Sequence, residues 1–223
     1  MEKEIVYSGE LMKQETARCA AYRLLHTIYS YPGPETVHFL KAFTLSPESH
    51  DLMGLAGRDA QKAFESIADM VHRGIADLLL DLEVEYTRLF INSFNGTPAK
   101  PYESVHVNKG HLVIGETTVR VREFYRQFGV DLGEHHPEPA DHIAIETEFM
   151  ACLIEKELAA YTDGELKKAE RFRDAQIRFL QQHLLCWAWD FSDRVYVHTR
   201  HPLYREAGLF SKIFFDGERK GID

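Results

Sequence analysis

The chain has few cysteines and lacks the short motifs that mark several common enzyme classes. Its three cysteines, Cys19, Cys152 and Cys186, are far apart and form no CxxC pair. An odd, dispersed set disfavours a disulfide framework, and the apolar helical pattern around each predicts buried free thiols. No GxxxxGK[ST] or GxGxxG phosphate loop is present, so nothing in the sequence supports nucleotide binding. Ser104 and His106 can share a face, but no GxSxG elbow surrounds Ser104, which argues against a hydrolytic triad.

Long apolar runs and an excess of positive charge are also missing. No window approaches the roughly 18 uninterrupted apolar residues that a membrane span needs. The N-terminal stretch 1–5 lacks the basic start and apolar segment of a secretory signal, so we expect a cytoplasmic protein without membrane insertion. The formal charge of −9 opposes binding to nucleic-acid phosphates. It favours a cationic partner in approach rate, although simple solubility explains it equally well.

What the chain does have is helical periodicity almost throughout. Hydrophobic residues make up 44% of the 223 residues, enough for a substantial core. Apolar side chains recur at three- and four-residue steps, as in amphipathic helices. The predicted helices cover approximately residues 17–28, 35–45, 58–73, 75–90, 117–128, 139–161, 166–185 and 203–214, with 187–195 as a continuation or short successor of the helix before it.

Start and stop residues refine several of these boundaries. Thr117 and Thr118 can cap a helix that ends at Gly129. Pro139 suits a first helical turn, where Asp141 would complement the helix dipole. Breaks near Ser46-Pro47 blur the early helices, and only 105–114, with a turn at Lys109-Gly110, predicts a short extended piece. The fold class is therefore all-α.

Two irregular stretches stand out as candidate functional segments. Residues 94–106 are too rich in Pro and Gly for a helix, yet they contain aromatic and apolar residues that argue against disorder. Long irregular segments in compact domains are often binding loops. The second stretch, 138–142, opens a helix after a linker at 133–139. We expect one domain over 1–223, or two helical lobes joined by a hinge near 129–138, as a monomer or a domain-swapped dimer.

A metal site is one interpretation of the second stretch. His142 and Glu146 are four residues apart, so both project from one helical face and could share a divalent ion with Asp141, His135 and His136 nearby. The second His of an HExxH pair is missing, and a helix-start hydrogen-bond network would use the same residues. A metal-dependent hydrolase using His142 and Glu146 is the alternative function.

Peptide binding accounts better for the same residues. Tyr102 offers an apolar ring with a polar tip. Glu103, Glu138, Asp141 and Glu146 supply carboxylates, which guanidinium groups pair with in bidentate fashion. Apolar helix faces beside them could receive the hydrophobic part of an amphipathic peptide. The sequence thus predicts a site where acidic side chains bind cationic groups of a peptide, next to an apolar groove.

At these residues the chain resembles the TorD/DmsD family of cytoplasmic chaperones for molybdoenzymes. The resemblance covers most of the chain from residue 20 onward. The matching pieces are Tyr86-Thr87-Arg88-Leu89-Phe90, Pro101-Tyr102-Glu103-Ser104-Val105, residues 118–129, Glu138-Pro139-Ala140-Asp141-His142-Ile143, residues 146–151, residues 183–187 and Pro202-Leu203-Tyr204. Two departures are Tyr102, where the family often has Trp, and Ala140, which replaces a frequent acidic residue.

The resemblance implies a TorD-like helical fold with a long irregular loop, no enzymatic activity and no cofactor of its own. It implies binding of the twin-arginine signal peptide and the apo-protein of a DMSO/TMAO reductase-class enzyme, which the chaperone would keep ready for insertion of its molybdopterin cofactor and hold back from export. A nitrate-reductase-type assembly factor would differ only in client. The expected peptide-binding residues are Tyr86, Phe90, Pro101, Tyr102, Glu103, Ser104, Glu138, Pro139, Asp141, His142 and Glu146.

Overall fold

The computed structural model describes residues 9–73, 77–94, 96–108, 115–133 and 136–222. Within these ranges the chain is α-helical and contains no strand, as the sequence predicts. The helices are α1 Gly9–Tyr29, α2 Pro34–Leu45, α3 Pro47–Leu55, α4 Arg58–His72, α5 Leu78–Tyr86, α6 Glu103–Val107, α7 Glu116–Gln127, α8 Ile143–Thr162, α9 Leu166–Gln182, α10 Ala188–His198 and α11 Pro202–Ile222. A π-helical turn, Thr87–Ile91, follows α5, and a 3₁₀ turn, Leu184–Cys186, precedes α10.

Helix α8 lies at the centre of the fold. It packs against α1 on one side and α9 on another, while α11 packs against α10 and α4. Every residue from 143 to 147 is buried, because this helix begins inside the protein rather than at its surface. The main hydrophobic core contains residues from α1 to α5 and from α7 to α11, on both sides of the 129–138 segment. The hinge at that segment stays a prediction.

Most helix boundaries agree with the Pro and Gly signals. Helix α1 ends at Tyr29, before the predicted stop at Pro32, and α11 begins at Pro202. Helix α7 ends before Gly129, whose φ of 75° is the left-handed conformation that favours glycine after a helix. None of the described helices is long and apolar enough to cross a membrane.

Ser46-Pro47, which we interpreted as a blurred break, instead starts helix α3. The Ser46 side chain accepts a hydrogen bond from the Ser49 N–H at 3.4 Å, and Pro47 occupies the first turn. This is a standard N-terminal arrangement, since proline at that position sacrifices no intrahelical hydrogen bond.

Other local predictions were wrong. Residues 103–106 are helical, as part of α6, although we expected them to belong to the irregular loop. The extended conformation predicted to begin at Val105 is likewise wrong, because α6 continues to Val107. The loop before it, up to Tyr102, is irregular but anchored, because the Ala99 N–H donates to the Leu89 carbonyl at 3.1 Å. The three cysteines are less buried than predicted: Cys19 and Cys152 are half-buried and Cys186 is exposed. Ile75, the Lys109-Gly110 turn and His135 lie outside the described residues.

A half-buried ion pair joins the π-helical turn to the end of α5. Asn92 N–H bonds to the Thr87 carbonyl at 2.8 Å, five residues back. Arg88 donates two hydrogen bonds to the Glu85 carboxylate, at 2.7 and 2.8 Å. Although burial opposes ionisation, hydrogen bonds from Arg88, the Arg200 N–H and the Thr199 hydroxyl lower the pKa of Glu85 to about 2. This cluster fastens the end of α5 to the connection between α10 and α11.

Gly208 of α11 marks the closest approach to α10. A Cβ there would lie 2.8 Å from the Tyr196 backbone nitrogen and 3.0 Å from the Ser192 carbonyl oxygen. We therefore expect Gly208→Ala to lower the free energy of unfolding by about 1–3 kcal/mol. Gly217→Ala in the same helix is the matched control, because a Cβ there meets nothing within 4 Å, and it should stabilise by up to about 1 kcal/mol. Urea denaturation measures both, and equal effects would contradict the close contact.

Candidate functional site

The two segments singled out in the sequence are joined by a backbone bridge. Glu103 N–H donates to the Asp141 carbonyl and Ile143 N–H donates to the Pro101 carbonyl, each at 2.9 Å. Glu103 and Ile143 are the first residues of α6 and α8. Since the first N–H groups of a helix have no partner within it, each helix start is satisfied by the other segment.

Side chains extend this reciprocal capping to the next N–H groups. The Asp141 Oδ2 accepts from the Ser104 N–H at 2.9 Å, and the His142 Nδ1 accepts from the Ala144 N–H at 3.1 Å. The prediction that Pro139 and Asp141 lie in the first turn of α8 was therefore wrong. His142 is the N-cap, and its extended backbone forms the bridge with Tyr102.

His142 is neutral in this environment. The ring is almost fully buried, at 1% exposure, and burial, followed by nearby His26 and His136, lowers its pKa to about 3. The hydrogen bond from Ala144 makes Nδ1 an acceptor, which places the ring proton on Nε2. The ring also makes an edge contact with Tyr102, at 5.2 Å between centroids.

Three carboxyl groups, of Glu103, Asp141 and Glu146, are buried below the bridge. His183 Nδ1 lies 3.1 Å from the Glu103 Oε2, and the Trp187 indole N–H donates to Glu146 Oε2 at 3.2 Å. Burial raises the pKa of Glu146 well above its usual value, and the charges of Glu103 and Asp141 raise it further. The Glu146 carboxyl therefore favours its protonated form, which lowers the charge that the interior must hold.

This burial corrects the expectation that Glu103, Asp141 and Glu146 present carboxylates directly to a partner. Their residues are at most 3% exposed. Some hydrogen-bonding capacity remains, because the Asp141 Oδ1, the Glu146 Oε1 and the Ser104 hydroxyl have no hydrogen-bond partner among the described residues. A guanidinium group does not reach these atoms in this arrangement.

The metal interpretation gains no geometric support. His142 Nδ1 and Glu146 Oε2 already take part in hydrogen bonds with Ala144 and Trp187. In the part of the chain that the structure describes, no group of three or more His, Cys, Asp or Glu residues is arranged to hold a metal ion. The same residues form the helix-start network that was the other interpretation.

Tyr86 and Phe90, also expected at the peptide site, belong to the core. Their exposures are 2% and 3%, and the Tyr86 hydroxyl donates to the Tyr29 carbonyl at 3.1 Å. Burial raises the pKa of Tyr86, and the charge of Glu138 adds to this effect. Neither side chain is accessible to a bound peptide in this arrangement.

The accessible part of the region is a groove between α7 and residues 136–139. Its volume is about 510 Å³. At its rim the half-buried Tyr102 donates from its hydroxyl to Glu138 Oε2 at 3.1 Å, and burial followed by the Glu138 charge raises the pKa of Tyr102. The lining residues are Thr118, Val119, Arg122, Glu123, Arg126, His136, Pro137, Glu138 and Pro139.

Comparison with known proteins gives consistent matches. The family model described as nitrate reductase delta subunit matches residues 56–193. The chaperone protein TorD of Vibrio cholerae is 29% identical over 177 residues, 77% of each chain, and that of Vibrio vulnificus is 29% identical over 70% of this chain and 72% of its own. A crystal structure from Archaeoglobus fulgidus, assigned as a redox enzyme maturation protein, shares the fold, with a TM-score of 0.56 and 20% identity over 97% of this chain and 99% of its own.

The burial of His142 predicts acid sensitivity. In the unfolded chain the ring binds a proton below pH about 6.5, whereas in the folded protein it stays neutral down to about pH 3. Stability therefore falls as the pH is lowered from about 6.5 towards 3, by up to about 1.4 kcal/mol per pH unit from this group. His142→Asn keeps a capping acceptor but cannot titrate, so it should reduce the slope by that amount.

Urea denaturation of wild type and His142→Asn at several pH values between 3.5 and 7 measures the two slopes. Circular dichroism at pH 7 verifies that the variant is folded. Identical slopes would show that His142 does not cause the acid sensitivity.

Proposed function

Since this chain belongs to the TorD/DmsD family, as the nitrate reductase delta subunit match and the TorD relatives establish, we propose that it is a maturation chaperone for a molybdopterin-dependent enzyme. Its client is an apo-protein of the DMSO/TMAO reductase class carrying a twin-arginine signal peptide. The chaperone binds both parts in the cytoplasm, assists cofactor insertion and delays export. It is not an enzyme, in keeping with the chaperone names of its relatives.

The observation that carries this proposal is the bridge between residues 101–103 and 141–143. It places Tyr102 beside Glu138 at the rim of the groove, with Pro139 forming part of the groove lining. Glu123 is exposed and Glu138 half-buried there, so both carboxylates are available to guanidinium groups. An arginine pair binds carboxylates through planar, bidentate contacts.

The buried members of the expected site act by holding this rim in place. Pro101, Glu103 and Asp141 supply the bridge and its cap, and His142 caps α8. Ser104 and Glu146 lie beside them in the interior. These residues are therefore positioning residues for Tyr102 and Glu138, rather than direct contacts of the peptide.

Apolar contacts must supply much of the affinity. An exposed ion pair contributes only about 0–1 kcal/mol, whereas apolar surface contributes about 25 cal/mol per Å² removed from water. Val119 is 53% exposed on the groove wall, and Pro137 and Pro139 line the opposite wall. The net charge of −9 assists the approach of a cationic segment, most strongly at low salt.

Titration calorimetry with the twin-arginine signal peptide of the client tests the proposal. Replacing both arginines by lysines should weaken binding about tenfold, because lysine cannot form the bidentate contact. Glu138→Gln should reduce the preference for arginine over lysine by a similar factor. Glu116→Gln, which removes an equally negative but 85% exposed side chain at the start of α7, should leave the preference unchanged.

Equal affinity for the arginine and lysine peptides would remove guanidinium recognition from the proposal. No binding of either peptide at any tested concentration would remove signal-peptide binding altogether. A preference for arginine that survives Glu138→Gln would place recognition away from the groove.

A further inference from the structure

Arg122 of α7 has no charged partner among the described residues. Its Nε is buried and makes no hydrogen bond there. Its neighbours differ: Arg120 lies 3.4 Å from Glu116, and Arg126 lies 3.9 Å from Asp131. Because buried donors are usually satisfied, an unpaired buried N–H in a cleft points to a partner outside the described residues.

The surroundings of Arg122 give the partner its character. Arg122 lines the groove from the α7 wall, together with Arg126 and the apolar Val119. Glu138 lines it from the other wall. A bound segment therefore faces two arginines and the exposed Glu123 on the α7 wall, and Glu138 on the other wall. A peptide with both an acidic and a basic side chain fits that arrangement, with its acidic group towards Arg122 and its basic group towards Glu138.

We propose that Arg122 binds a carboxylate of the client polypeptide lying in this groove. This inference rests on the proposed function and adds a second contact to it: the client arginine is received by Glu138, while an acidic side chain close to it is received by Arg122. The planar guanidinium matches a carboxylate with two parallel hydrogen bonds. A small rotation of the Arg122 side chain would bring its Nε to the same carboxylate, so the contact depends on the charge and shape of the acidic group.

A phosphate group suits the groove less well. Glu123 and Glu138 lie in the same groove and would repel a doubly charged anion. A carboxylate carries a single negative charge, which matches the single positive charge of Arg122. A peptide carboxylate is therefore the occupant to which the proposal commits, and a phosphate is an outcome of the test.

The probes are short blocked peptides that carry an arginine pair followed by leucine and alanine, with one glutamate at the first, second, third or fourth position after the pair. Each has a glutamine counterpart. At one or more positions the glutamate peptide should bind the wild-type protein about tenfold more tightly than its counterpart. That preference should decrease as salt concentration rises.

Two variants of Arg122 and one control test whether Arg122 causes the preference for the glutamate peptide. Arg122→Gln should abolish the preference for glutamate. Arg122→Lys should retain part of it, because lysine keeps the positive charge but cannot donate two parallel hydrogen bonds to one carboxylate. Arg120→Gln removes the same charge from a 55% exposed side chain on α7 and should leave the preference intact. Circular dichroism verifies that each variant is folded. The comparison of glutamate and glutamine peptides on the wild-type protein does not depend on any variant.

The outcomes separate this inference from the proposed function. Failure of all arginine-pair peptides to bind the wild type would reject the proposed function. Binding with no preference for glutamate at any position, or a preference that persists in Arg122→Gln, would reject the carboxylate contact alone. Displacement of the peptide by millimolar inorganic phosphate from the wild type, but not from Arg122→Gln, would identify a phosphate site and overturn the proposal.

Discussion

The reciprocal capping of α6 and α8 is the constraint on which the rest of the site depends. Each helix begins by donating its first N–H to a carbonyl of the other segment, and Asp141 and His142 satisfy the next N–H of each helix. Unsatisfied N–H groups at buried helix starts are costly, so neither start is stable in the interior without the other. This explains why polar residues are buried here. It also explains why Tyr102 meets Glu138 at the groove.

Much of the fold was predictable because it rests on local patterns. The apolar periodicity located most of the long helices, and Pro32, Gly129 and Pro202 correctly marked boundaries. Helix α6 was missed because five residues carry too little periodicity to reveal a helix. Its start depends on Asp141, which is 37 residues away from Ser104 along the chain. No local pattern contains that information.

The site was predictable in its location but less so in its exposure. Acidic residues in a Pro-containing loop are expected at the surface, since charged side chains are seldom buried without partners. Their partners here are distant: His183 is 80 residues from Glu103, and Trp187 is 41 residues from Glu146. The groove could not be predicted either, because the residues of α7 that line it depend on how α7 is rotated against residues 136–139. Five residues of α7 line the groove, and four of them are charged or carry a hydroxyl. A sequence names the chemistry available at such a site, and packing decides which groups solvent can reach.

The π-helical turn after α5 makes the number of residues there as important as their identity. A π turn contains one residue more than the α-helical path between the same ends, and such turns commonly coincide with functional sites. Removing one residue from Thr87–Ile91 would therefore leave an α-helical path between the same ends, without rotating the flanking residues relative to each other. The contacts of Glu85 with Thr199 and Arg200 lie before the turn and would be kept. In an alignment of distant relatives, a single-residue gap at this place would thus mark the loss of the π turn rather than a rearrangement of the elements around it.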